Sequence, residues 1–112
     1  MLIYKIFRAD EWAALQSTGR SDGAPVDLAD GYIHFSTATQ AAETAAKHFS
    51  GATGLVLLAV DGDALGDALK WEPSRGGALF PHLYRPLELS EVLWAKPLPL
   101  NGEKHVFPEE MA

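Results

Sequence analysis

Six apolar residues in a row, Leu55 to Val60, constrain this chain more than any other feature. Gly54 precedes them and Asp61-Gly62-Asp63 follows, so the run has the length of a strand and not of a helix. Successive side chains of a strand point to opposite faces, and one that is apolar at every position must be covered on both. The chain has 112 residues with which to do this, one domain's worth of core. The run therefore predicts a central strand inside a single domain spanning 1–112.

The flanking patterns supply its partners. Leu2 to Phe7 reads as a strand, β-branched and aromatic, interrupted by Lys5. Asp10 is expected to cap a short helix to about Gln16, with Trp12 and Leu15 inward and Gly19 beyond its end. Ser21 to Asp30 reads as a polar loop. Gly31 then opens a strand over Tyr32 to Ser36, with Ile33 and Phe35 inward and Tyr32, His34 and Ser36 on the other face. Thr37-Ala38-Thr39-Gln40 has the form of a capping box for an alanine-rich helix that Phe49 anchors and Gly51 ends. Asp63 can cap one helical turn burying Leu65 and Leu69. Lys70-Trp71-Glu72 is a short strand cut off by Pro73, and a final strand runs from Glu91 to about Lys96. The tail from Pro97 is expected to be irregular. The fold class is α+β, with a mixed or antiparallel sheet and two or three short helices.

Composition removes several chemistries. There is no cysteine, which excludes disulfides, thiolate zinc sites and a cysteine nucleophile. The net charge is −6 and the basic residues are scattered singly, so nucleic acid is not the expected partner. A small anionic ligand stays open, held by local donors such as a helix start. No stretch approaches the roughly 20 apolar residues of a membrane span, and the expected location is the cytoplasm. No metal-ligand spacing, P-loop, dinucleotide fingerprint or hydrolase elbow is present.

Two segments could carry chemistry. The first, Tyr32 to Thr37, sets an aromatic ring, an imidazole and hydroxyls on one strand face and runs into a helix start. The second joins Trp71-Glu72 to Phe80-Pro81-His82-Leu83-Tyr84-Arg85-Pro86, where alternation puts His82 and Tyr84 on one face. Its two prolines suit a sheet rim, and the Phe80–Pro81 bond is open to either isomer. Plainer readings stand beside these. Thr37 is then only a cap and His34 a satisfied histidine, with Glu72 an exposed strand end and His82 a surface residue. His48 suits the helix dipole at a helix end, and His105 falls in the tail as a solvated side chain.

These segments resemble the domain-of-unknown-function 952 family. The matching residues are Ile3-Tyr4-Lys5-Ile6, Trp12, Gly31 through Ala38, Gln40, Leu57-Leu58, Val60-Asp61, Leu65, Trp71-Glu72, Gly76-Gly77 and Phe80 through Tyr84. They cover the chain to about Val92. The resemblance implies a distant similarity to the ADP-ribosyltransferase-like fold, in which NAD lies in a cleft between two small sheets. By position it places the early-strand site near Lys5 and the hydroxyl motif on His34, Ser36 and Thr37. Glu72 is the nearest candidate for the late acid, and Arg85 departs from an expected glycine. It also implies NAD or ADP-ribose as ligand, with His34, Glu72 and His82 as catalytic candidates. Tyr32, Ser36, Thr37, Arg75, Tyr84 and Arg85 are then the binding candidates. Two rivals remain, a non-catalytic binding domain on the same fold and a metal-assisted hydrolase using the histidines.

Overall fold

The computed structural model describes residues 1–111; Ala112 and the side chain of Arg75 lie outside the described residues. In chain order the elements are β1 (Leu2–Arg8), α1 (Ala9–Thr18), β2 (Arg20–Ser21), α2 (Pro25–Asp30), β3 (Ile33–His34), α3 (Ala38–His48) and β4 (Leu55–Asp61). After two 3-10 turns come β5 (Leu69–Pro73), β6 (Leu79–Leu83), β7 (Leu87–Glu88), β8 (Val92–Leu98), β9 (Leu100–Asn101) and β10 (Lys104–His105). Every strand pairing is antiparallel. One three-stranded sheet has the order β1-β4-β8 and the other β3-β6-β5. A single bridge between Tyr4 and Ser36 joins them. Among the described residues no helix is long and apolar enough to cross a membrane.

β4 is central, as its unbroken apolar run demands. Leu58 and Val60 enter a core shared with Ile3, Phe7, Leu15, Ile33 and Leu83, drawn from both sheets. Leu55, Leu57 and Ala59 enter a second core with Tyr4, Ile6, Ala45 and Leu98, against which Phe49, Phe107 and Met111 pack. The first sheet thus lies between the second sheet on one side and α3 with the C-terminal segment on the other. Lys5 follows the alternation too. Standing between Ile3 and Phe7, it points into the first core and is buried.

Local chemistry sets the helix ends. The capping box of α3 is present, with Thr37 N–H donating to Gln40 Oε1 and Gln40 N–H to Thr37 Oγ1. Gly19 closes α1 in the left-handed conformation. That helix starts at Ala9, ahead of the expected Asp10 cap, and Glu11 accepts from the Arg8 N–H. At the next turn the N-cap is Asp61, not Asp63.

Four expectations give way. The polar loop 21–30 contains α2, with Pro25 in its first turn and Gly31 as its left-handed cap, so Gly31 closes a helix instead of opening a strand. The strand over 32–36 shortens to Ile33–His34 because Ser36 turns to pair with Tyr4. β6 is the middle strand of its sheet despite Pro81, whose carbonyl accepts from the Phe35 N–H; every described peptide bond is trans. The segment after Pro97 is not irregular, since β8 reaches Leu98 and β9 and β10 form a hairpin. His105 there bonds the Ala52 carbonyl at 2.9 Å and is not free in solvent.

Candidate functional site

Register places the two candidate histidines side by side. His34 of β3 is the cross-strand partner of His82 of β6, and His82 in turn faces Lys70 of β5. The period of two carries Tyr32, His34, His82, Tyr84, Lys70 and Glu72 to one face of this sheet, while Ile33 and Leu83 enter the core behind it. The imidazole centroids are 5.3 Å apart, near edge-to-face. The Tyr32 ring stacks on His82 at 4.2 Å and also meets His34 and Tyr84.

Each histidine is held at Nδ1 by a carboxylate. His82 Nδ1 lies 2.8 Å from Glu72 Oε1, to which Tyr84 Oη also donates at 2.6 Å. These two donors hold Glu72 below the usual carboxylate range, and Glu72 in return pushes the Tyr84 phenol up to about 12. An ionised Glu72 accepts, so His82 Nδ1 carries the hydrogen. The remaining nitrogen of that ring, Nε2, is buried without a partner, in a residue only 2% exposed. His82 is therefore no surface residue, and Glu72 no isolated strand end.

His34 rests on Asp27, which no local pattern in the sequence marked. Asp27 sits in the first turn of α2 and is 1% exposed. Its Oδ1 accepts from the His34 backbone N–H at 3.0 Å and from the ring Nδ1 at 2.6 Å. Its Oδ2 accepts from the Ala24 N–H and from Lys5 Nζ, both at 2.7 Å. Lys5 Nζ also donates to the His34 carbonyl at 3.0 Å. The outer nitrogen of His34, Nε2, meets the half-exposed Asp30 at 3.0 Å. The one signal for this arrangement was Lys5 at an inward strand position, a cation that burial obliges to find an acid.

The energetics follow from burial. Burial alone would raise the Asp27 carboxyl, but the bonds from His34 and Lys5 outweigh it and bring it down to about 2. Burial lowers Lys5 as well, by more than Asp27 returns, so the pair's net contribution is smaller than the Asp27 shift suggests. A carboxylate lowered by folding stabilises above its unfolded value of 3.8, and that contribution is lost as pH falls through the folded value. We expect about 2 kcal/mol of stability to disappear between roughly pH 4 and 2, measured by urea unfolding at stepped pH. In Asp27→Asn this part of the acid loss should be missing.

Of the expected anion donors, Ser36, Thr37 and Arg85 each have a partner within the fold. Ser36 is buried, its hydroxyl on Thr44 at 2.8 Å. Thr37 is engaged in the α3 cap and with Thr39. Arg85 grips Glu91 through both terminal nitrogens, at 2.9 and 2.7 Å. Arg75's side chain lies outside the described residues. A cleft of about 240 Å³ is lined among others by Asp22, Asp27, Tyr32, Tyr84 and Arg85, and by neither histidine. A larger hollow of about 410 Å³ near Leu69 and Trp71 offers only Asp63 as an ionisable side chain, and the N-terminal amine already binds it at 2.8 Å. Among the described residues no group of three or more His, Cys, Asp or Glu side chains is arranged to hold a metal.

A family model described as "Protein of unknown function (DUF952)" matches residues 6–95. No match was found among curated proteins. The chain is similar to protein CC0527 from Caulobacter crescentus. Against its crystal structure the identity is 56%, with 94% of this chain and 92% of that chain covered and a TM-score of 0.91. Against its solution NMR structure the identity is 57%, with 93% and 90% covered and a TM-score of 0.83.

Proposed function

The chain belongs to the DUF952 family of proteins of unknown function, and from that premise we propose that the His34–His82 face is a small-molecule site working by acid–base chemistry. The single observation that carries this is the cross-strand imidazole pair at 5.3 Å, each Nδ1 bound to its own carboxylate, beneath an aromatic ring that touches both. An Nδ1 bound to a carboxylate leaves Nε2 as the nitrogen that exchanges protons. In His34 that nitrogen faces the half-exposed Asp30, so it is the group a ligand would reach.

The specific form we propose is chemistry at a ribosyl bond, as in ADP-ribosyl transfer or NAD cleavage. Breaking that bond builds positive charge on the sugar ring. The ionised Glu72, held by His82 and Tyr84, stabilises such a charge; His34 bonds a ribose hydroxyl or moves a proton, and Tyr32 and Tyr84 supply aromatic surface. His82 serves as a positioning residue for Glu72. Since Ser36, Thr37 and Arg85 are engaged within the fold, the base and ribose are the parts of the ligand this face addresses. The test is calorimetric titration with NAD and ADP-ribose alongside an assay for released nicotinamide. We expect binding with turnover, and a turnover loss of about 10²- to 10⁴-fold in His34→Ala. Absence of heat with either ligand removes the nucleotide reading, whereas binding without nicotinamide release favours a non-catalytic domain. That second reading has its own support, because Asp30 already occupies the outer nitrogen of His34.

A further inference from the structure

We propose that the wall around Tyr32 selects a planar cation bearing N–H donors, an inference that rests on reading this face as a ligand site and names the part of the ligand that seats there. The argument is a census of what the wall leaves unsatisfied. Its cations and donors are largely spent: Lys5 on Asp27 and the His34 carbonyl, Arg85 on Glu91 and the Pro86 carbonyl, and His82 Nδ1 with Tyr84 Oη on Glu72. His34 directs its two nitrogens at Asp27 and Asp30. Among the described residues, exposed Lys70, which pairs in register with His82, is a further cation near Glu72.

What remains receptive is electron-rich. The rings of Tyr32 and Tyr84 lie 5.1 Å apart, and Tyr84 is 45% exposed. Aromatic faces of this kind attract cations. The carboxylates of Asp30 and Glu72 flank Tyr32 closely enough that, after burial, they hold its phenol above its ordinary range. Beneath Tyr32, the buried Nε2 of His82 has no hydrogen-bond partner; in the Nδ1–H tautomer that Glu72 favours, it presents a lone pair. A buried acceptor without a partner is costly, and an N–H group relieves that cost. Tyr32 lies over His82, inclined by 26°, so its own ring is the surface on which a flat cation would rest. A phosphate meets none of these groups favourably.

The test is a charge series on one ring: ring-methylated nicotinamide (a cation), nicotinamide (neutral) and nicotinate (an anion). Each is titrated into the whole protein at low salt and about pH 8, above the ordinary imidazole range, while the side-chain resonances of Tyr32, His82 and Tyr84 are followed. We expect the cation to bind about tenfold tighter than the neutral ring and the anion not to bind. Asp30→Asn and Glu72→Gln should each bring the cation close to the neutral ring. Equal or tighter binding of nicotinate, or no perturbation by the cation, overturns the inference. Cation binding without any NAD turnover sinks the chemical reading above and leaves this one standing.

Discussion

Asp27→Ala is expected to cost about 3–5 kcal/mol of folding stability, the range for breaking a buried ion pair by removing one partner. That is a large part of the 5–15 kcal/mol that keeps a typical domain folded. The carboxylate accepts four hydrogen bonds, from Lys5, the Ala24 N–H and the backbone and ring of His34. Alanine takes the acceptor from all four, and one of them is an ammonium group 6% exposed in the core that is left with the His34 carbonyl but no counter-charge. The charge left behind sets the size of the loss, so a second substitution should recover part of it. Lys5→Met alone leaves Asp27 three donors and should cost less than half as much. In Asp27→Ala/Lys5→Met we expect a favourable coupling of about 1–3 kcal/mol, as for residues in one network. Urea denaturation of the four proteins in the cycle measures this. A single-mutant loss within about 0.5 kcal/mol of zero, as at an ordinary surface position, would show that the pair carries little of the fold.

That pair marks where local pattern stopped being informative. The apolar run 55–60 located β4 because an apolar strand needs two covered faces, and two cores cover it. The α3 capping box was legible because its donors and acceptors lie within four residues of one another. Alternation put His34 and His82 on definite strand faces, but no local signal could align them across the sheet. That alignment is a register between strands almost fifty positions apart, set by which side chains the shared core accepts. Asp27 was lost in a segment read as polar loop, since a six-residue helix has too few positions for a periodic stripe. Ser36 and Arg85 have partners that went unforeseen for a related reason. Their partners, Thr44 and Glu91, lie eight and six residues away, and sequence does not reveal whether a hydroxyl or guanidinium is already engaged.

Gly23→Ala should be nearly as damaging as removing Asp27 itself, although glycine offers no interaction to lose. Two costs combine. The backbone there has φ of +101°, a conformation costing an L-residue about 1–2 kcal/mol. A methyl group would also stand 2.4 Å from Asp27 Oδ2 and 2.6 Å from its Cβ, so it would press directly on the carboxylate that holds Lys5 and His34. Asp27 is fixed by four donors and cannot swing aside without releasing them, which puts the crowding at the 1–3 kcal/mol usual for overpacking. We expect a total of about 3–4 kcal/mol. Gly31→Ala is the internal control: its φ is +85°, yet a Cβ there meets nothing within 4 Å, so it should show the backbone cost alone, about 1–2 kcal/mol. The difference between the two variants in urea unfolding isolates the rigidity of the Asp27 cradle. In Gly23→Ala the ring-proton shifts of His34 should move as well, while in Gly31→Ala they should not. Equal losses and unmoved His34 shifts would mean that Asp27 yields freely and that its hold on His34 is loose.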